Sequence, residues 1–250
     1  MQMTLTALPG IPLVQPGDDL AGLILAGLER ADIDLRSGDV LAVAQKIVSK
    51  AEGRLVDLAQ VTPSAEARRL GAEADKDPRL VELILSEAEA VLRVRPGLLI
   101  VEHRMGFVCA NAGIDHSNVE GPDQVLLLPR NPDGSAAELR EAVRAGTAVE
   151  TGILIIDSHG RAWRNGTAGV AIGVSGFPSL LDLRGVPDLY GDPLQVTQVG
   201  LADELAAGAS ALMGQAGEGL PVVHVRGLPY ELREGSLDEL LRPKEEDLFR

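Results

Sequence analysis

Two stretches, Val40-Leu41-Ala42-Val43-Ala44 and Gly152-Ile153-Leu154-Ile155-Ile156, are continuous apolar runs of strand length. A strand wetted on one face alternates apolar and polar residues; these do not, so each is read as a strand covered on both faces. Such strands need helices to cover them, and the flanking sequence carries the signals. Asp18-Asp19 ahead of Leu20, Leu23, Ile24 and Leu28 puts acid in a first turn and an apolar stripe at helical spacing. Thr62-Pro63 and Asp77-Pro78 each set a capping residue before a proline at the first helical position, which predicts helices over 65–73 and 79–89. Asp133-Gly134 reads as a turn and Ser135-Ala136-Ala137-Glu138 as a capping box that opens a helix to about Arg144; a last helix is expected over 202–213.

Between these helices the chain turns strand-rich. Strands are expected over 90–94, 98–101 and 107–110, with Arg104-Met105-Gly106 as a hairpin turn, and again over 125–128 and 221–225. A glycine-rich region, 166–176, precedes a proline-rich surface stretch, 178–193. From Glu231 to the end the chain is charged and expected to be peripheral, with Lys244-Glu245-Glu246-Asp247 solvated. Helices and strands follow one another irregularly, without strict βαβ alternation. The expectation is an α+β fold, mixed sheets flanked by helices, in one domain spanning 1–250.

Composition narrows the function. A chain of 250 residues with 45% apolar content can bury a full core without disulfides or a structural metal. The net charge of −14 argues against wrapping duplex nucleic acid, which needs clustered Lys and Arg, and one Trp, two Tyr and three Phe leave little for stacking bases. Cys109 is the only cysteine, so no intrachain disulfide or CxxC metal site forms, which fits a cytoplasmic setting. No export signal opens the chain, and the longest uncharged stretch, 165–181, is too rich in glycine and polar residues to span a bilayer. The expectation is no membrane and no nucleic-acid partner.

The residues that could carry chemistry fall into four groups. There is no GxxxxGK[ST] loop and no GxGxxG between a strand and a helix, so a nucleotide would be held another way. Gly214-Gln215-Ala216-Gly217-Glu218-Gly219 follows a helix and precedes a strand; its amides could form an anion nest, or its first glycine could simply cap the helix. Lys46, Ser49 and Lys50, at the end of a strand in an acidic chain, suit a polyphosphate, although a solvated strand end has the same composition. Asp115 and Asp157 end apolar runs; carboxylates with a hydroxyl select a hard cation such as Mg²⁺ or Mn²⁺, while Asp at a strand end also forms turns. His103, His116, His159 and His224 have no metal-ligand spacing, and without GxSxG neither Ser117 nor Ser158-His159 makes a hydrolase triad. Arg161 and Arg164 follow Asp157 closely enough to reach an anionic substrate, or are ordinary surface arginines.

These same residues lie in blocks that resemble the F420-0 gamma-glutamyl ligase family. The blocks are Gly10-Ile11-Pro12-Leu13-Val14, the run from Gln45-Lys46 to Gly53-Arg54, Asn111-Ala112-Gly113-Ile114-Asp115-His116-Ser117-Asn118-Val119-Glu120, Ile156-Asp157-Ser158-His159-Gly160-Arg161, Asp188-Leu189-Tyr190-Gly191, Leu212-Met213-Gly214 through Gly219, and Val225-Arg226-Gly227. They run in family order over nearly the whole chain. The resemblance implies GTP-dependent joining of L-glutamate to the lactyl carboxylate of F420-0, then of further glutamate through the γ-carboxylate, with release of GDP and phosphate. It implies GTP contacts at Ile11, Pro12, Leu13, Val14, Gln45, Lys46, Lys50, Asn118, Met213, Gly214, Gln215, Ala216, Gly217, Glu218, Gly219 and Leu220. Asp115, Asp157 and Ser158 would hold a divalent cation, Mn²⁺ or Mg²⁺, with room for a monovalent cation besides. The family commonly has Thr where this chain has Ser158; the hydroxyl survives, and the methyl that fixes its rotamer is lost. The resemblance also implies a family-specific fold of two intertwined subdomains, a homodimer, and no fused flavin reductase domain in this chain.

Amide formation needs an electrophilic carboxylate, which an acyl phosphate supplies, and a deprotonated glutamate amine, for which His116 and Glu120 are candidate bases. Two other functions use the same residues. A GTP-binding regulator would keep the lysines and the glycine loop but leave the aspartates free to drift, and a metal-dependent phosphohydrolase would use the same cation with water as acceptor.

Overall fold

A computed structural model of the chain describes residues 2–248; the last two residues of the charged segment 231–250 lie outside that range. The first half contains β1 (Thr4–Ala7), α1 (Leu20–Arg30), β2 (Val40–Ala44), α2 (Gln45–Ala51), β3 (Leu55–Asp57), α3 (Ala65–Ala74), α4 (Pro78–Glu87), β4 (Ala88–Arg95), β5 (Leu98–His103) and β6 (Val108–Ala110). The second contains β7 (Gln124–Leu126), α5 (Pro132–Thr147), β8 (Gly152–Arg161), β9 (Arg164–Ser175), β10 (Leu181–Asp182), β11 (Gln198–Val199), α6 (Leu201–Met213) and β12 (Val222–Arg226). The fold is α+β.

The two apolar runs sit where their composition puts them. They are β2 and the start of β8, neighbours and parallel in a five-stranded sheet of order β1-β12-β2-β8-β9, whose other pairings are antiparallel. Side chains alternate across the sheet: Leu41, Val43, Ile153 and Ile155 pack with α1 and α5, and Val40, Ala42, Leu154 and Ile156 pack with α6. All eight are buried, and each of the seven larger than Ala42 contributes about 1.5–3 kcal/mol relative to exposure.

A third core forms between β2 and β8 in sequence. There α3 and α4 pack on the three-stranded antiparallel sheet β4-β5-β6, around Leu70, Val81, Ile84, Leu99 and Val101. Its junction with the main sheet is ionic: Glu87, at the end of α4, pairs with Arg54 after α2 at 2.8 Å and with Arg104 after β5 at 3.1 Å.

Several local expectations change, each for a physical reason. The glycine-rich region, for which no element was expected, is the strand β9, because Gly169 and Gly173 lie where helices press on the sheet. A Cβ at Gly169 would stand 2.3 Å from the carbonyl oxygen of Ala206 in α6, and one at Gly173 would stand 2.5 Å from Pro132 in α5. Helix α5 starts three residues before the expected capping box, since Asn131 caps it through the Gly134 amide at 3.1 Å and Pro132 fills the first position. Ser135 instead donates to Glu52 at 2.6 Å. Helix α3 is capped by Ser64, through the Ala67 amide at 3.1 Å, and not by Thr62. Asp77-Pro78 opens α4 as its sequence implies. Part of the charged segment is anchored: Leu237 is buried with its amide on Asp133 at 3.0 Å, Glu239 accepts from the amides of Ser179 and Leu180, and Lys244 pairs with buried Glu102 at 2.7 Å.

Candidate active site

One cavity of about 1250 Å³ lies between the ends of β2 and β8, the β4-β5-β6 sheet and the end of α6. Of the residues singled out in the sequence, Ile11, Pro12, Leu13, Val14, Gln45, Lys46, Lys50, Asp115, Asn118, Asp157, Ser158, Met213, Gly214, Gln215, Ala216, Gly217, Gly219 and Leu220 all line it. Glu218, His116 and Glu120 do not.

Gln45, Lys46 and Lys50 occupy a helix, not the strand end the sequence suggested. Strand β2 passes directly into α2, whose short length and paired apolar residues Ile47 and Val48 give little periodicity to read. Helical spacing then sorts the polar residues by face. Gln45 and Ser49 are buried, joined by a 2.9 Å bond from the Ser49 hydroxyl to Oε1 of Gln45, while the Gln45 amide nitrogen finds no partner among the described residues. A buried donor without an acceptor, on the cavity wall, fits an incoming oxygen. Lys46 and Lys50, one turn apart, reach across to the loop after β6. Lys46 pairs with Asp115 and contacts the Ser117 hydroxyl at 3.0 Å, and Lys50 donates to the carbonyl of Asn118 at 2.8 Å. Burial, then the charge of Lys46, pushes the Lys50 ammonium below its ordinary value.

Asp115 is fixed by its backbone, which exchanges both hydrogen bonds with Leu126 at 3.0 and 2.9 Å. Burial alone would raise its carboxyl; Lys46 and the Ser117 amide, at 2.6 Å, outweigh burial and hold it below the usual range. Asp157 and Ser158 stand where β8 leaves the buried part of the sheet. Asp157 accepts from His159 at 3.0 Å, and the Ser158 hydroxyl donates to Gln215, whose amide donates on to Ser210 of α6 at 2.9 Å. Cys109, buried beside them, has its thiol pushed up to about 12 by burial and by the charge of Asp157, so it is packing and not a nucleophile.

The loop after α6 carries an internal anion. Its own amide and that of Ala216, the latter at 2.8 Å, hold the Glu218 carboxyl below its ordinary range. The glycine loop is thus both a helix end, with Gly214 at φ +73°, and a nest that accepts a carboxylate. Asn118 ties it to the opposite side through the carbonyl of Ala216 at 3.4 Å.

Two carboxylates and a hydroxyl on one cavity fit a hard, oxygen-seeking cation. Among the described residues no three His, Cys, Asp or Glu side chains converge on a point, so a cation held here would complete its shell with water and substrate oxygens, the habit of Mg²⁺ and Mn²⁺ at phosphates.

Residues 10–227 match the family model described as F420-0:Gamma-glutamyl ligase. The chain belongs to this family. Among curated proteins, the coenzyme F420:L-glutamate ligase of Methanothermobacter thermautotrophicus is 46% identical over 252 residues, covering all of both chains. That of Methanopyrus kandleri is 49% identical over 95% of this chain and 93% of its own, and that of Archaeoglobus fulgidus 44% identical over 100% and 97%. Five of the seven family blocks in the sequence contribute residues to the cavity; those at 188–191 and 225–227 do not. No helix among the described residues is long and apolar enough to cross a membrane.

One feature of the cavity was not singled out in the sequence. Arg93 and Arg95 line it from β4, and their signal was an i, i+2 basic pair inside a strand. His159, weighed in the sequence only as a metal ligand or triad member, lines it as the partner of Asp157.

Proposed function

We propose that this chain joins L-glutamate to coenzyme F420-0 with GTP as phosphoryl donor, first through the lactyl carboxylate and then through the γ-carboxylate of the glutamate just added. GDP and phosphate are the other products. What carries the reading, beside the family, is the meeting of Lys46, Lys50, Asp115, Asp157 and Ser158, from three separate segments of the chain, on one cavity.

In this account a carboxylate oxygen of the acceptor attacks the γ-phosphorus of GTP, and GDP leaves with the electrons of the broken bond. The glutamate amine then attacks the carbonyl carbon of the acyl phosphate, sheds a proton, and phosphate departs. Such transfers depend on positioning and on offsetting charge at the phosphoryl oxygens. Lys46 and Lys50 supply fixed positive charge there, and the unpartnered Gln45 amide supplies a donor. Asp115, Asp157 and Ser158 would hold Mn²⁺ or Mg²⁺, whose charge neutralises the phosphates when bound. Neither candidate base proposed from sequence, His116 or Glu120, lines the cavity, so neither is assigned the amine proton.

A homodimer belongs to the same proposal. The segment carrying β10 and β11 holds Leu189, Tyr190 and Val196 at 100, 92 and 84% exposure, an apolar surface suited to a second copy.

Phosphate release tests the chemistry. Purified protein with GTP and Mn²⁺ is expected to release phosphate only when F420-0 and L-glutamate are both present, and ¹⁸O in the acceptor carboxylate should appear in that phosphate. Release with GTP alone would instead make the protein a phosphohydrolase. Unlabelled phosphate would remove the acyl phosphate.

A further inference from the structure

The residues assigned to nucleotide and cation account for only part of the cavity's lining, and strands β4 and β5 and the β8–β9 hairpin carry chemistry they do not use. Arg93 and Arg95 stand two residues apart on β4, directly across from Ile100 and Leu98 of β5, and all four line the cavity. The opposite face of β5 buries Leu99 and Val101 in the third core, so this sheet shows the cavity an apolar floor edged by two guanidinium groups. Arg161 and Arg164 reach the same cavity from the hairpin between β8 and β9.

These four arginines are exposed, and none has a carboxylate partner among the described residues. Elsewhere Arg69, Arg79, Arg144 and Arg184 each take a carboxylate within four residues in sequence. At the cavity Arg93 donates only to the carbonyl of Leu92, and among the described residues no carboxylate pairs with any of the four. With Lys46 and Lys50 they outnumber the acidic lining residues, Asp115, Asp157 and Asp247, in a chain whose acidic residues exceed its basic ones by 37 to 23. Such a local reversal of sign focuses an anionic ligand.

The proposed reaction supplies a ligand of matching charge. Each turnover converts one acceptor carboxylate into an amide and brings in the two carboxylates of glutamate, so the acceptor gains one negative charge. At a second addition the γ-carboxylate reacts and the α-carboxylate stays free beside it. We propose that Arg93, Arg95, Arg161 and Arg164 form a subsite for the carboxylates already on the acceptor, floored by Leu98 and Ile100, and that it favours the glutamylated acceptor over the bare one. The forked guanidinium group matches a planar carboxylate better than an ammonium would. This subsite rests on the ligase reading of the cavity.

Equilibrium binding separates the two ideas. Calorimetry would compare the acceptor carrying no, one and two glutamates on wild type, on Arg93→Gln/Arg95→Gln and on Arg161→Gln/Arg164→Gln, with GTP titrated in parallel. Wild-type affinity is expected to rise with each glutamate, and each double variant to lose roughly tenfold for the glutamylated acceptors, one factor of ten per 1.4 kcal/mol, with GTP affinity held within about twofold. An affinity indifferent to the number of glutamates, or a rise that both variants retain, would overturn the subsite. Because nothing here depends on turnover, a wild type that prefers the glutamylated acceptors yet makes no product would remove the ligase reading and leave the subsite standing.

Discussion

On the wall of the cavity built from α2, β8 and the end of α6, most polar groups already have a protein partner, whereas on the wall built from β4, β5 and the β8–β9 hairpin the arginines have no carboxylate partner among the described residues. Lys46 is matched by Asp115, Asp157 by His159, Ser158 by Gln215 and the nest of the glycine loop by Glu218. Arg93, Arg95, Arg161 and Arg164 line the cavity with no carboxylate paired to them among the described residues. The first wall is therefore preorganised, its charges held in place before substrate arrives, as transition-state stabilisation requires. The second keeps its charge free to be neutralised by the substrate, which suits selection more than catalysis.

Four changes sharpen that contrast. The largest effect is expected from Asp157→Asn, which removes half the carboxylate charge offered to the cation while leaving an oxygen to accept from His159. Ligation should fall about 10²–10³-fold with the thermal midpoint unchanged, and an active variant would take Asp157 out of the cation site.

The second wall should be the acid-sensitive one, because His103 supports it. His103 is fully buried against Phe107, and burial pushes its imidazole down to about 4, with Arg104, Arg54 and His159 adding to the shift against the opposing pull of Glu87. A group depressed in the folded state contributes stability above its unfolded value near 6.5 and loses it as pH falls to the folded value. Denaturant unfolding should lose on the order of 3 kcal/mol from this residue between pH 6.5 and 4, and His103→Gln should flatten that decline. Parallel curves for the two proteins would contradict it.

Back on the first wall, Lys50→Ala should weaken GTP about tenfold, read as a rise in KM with little change in kcat, as expected of a charge that would serve the proposed nucleotide in ground and transition state alike. Unaltered nucleotide affinity would remove Lys50 from the site. The smallest effect is expected from Ser158→Ala, about threefold in the Mn²⁺ concentration needed for half activity, because a neutral hydroxyl contributes less to a cation than either aspartate. A loss as large as that of Asp157→Asn would assign the hydroxyl a larger part.

Much of this architecture is legible in the sequence, and the failures have causes. Strands β2 and β8 announce themselves because strands buried on both faces need no polar alternation. Strand β9 hides because its glycines, which look like a loop, are demanded by the close approach of α5 and α6. Strand β1 alternates polar and apolar residues over only four positions, Thr4 to Ala7, too short a stretch to stand out, and is held by its backbone ladder with β12. Helix α2 is too short to show a period. The same division holds at the cavity: two lysines in an acidic chain and aspartates at the ends of apolar runs can be noticed one segment at a time. That Arg93 and Arg95 face them is a tertiary fact, set by the way the β4-β5-β6 sheet packs beside β8.

The most direct test of the account is the product itself. Purified protein would be incubated with F420-0, L-glutamate and Mn²⁺, in parallel with GTP, ATP and no nucleotide, and the acceptor weighed by mass spectrometry. The account predicts stepwise additions of glutamate with GTP and none without nucleotide. An unchanged acceptor, from folded protein that still binds GTP, would contradict it.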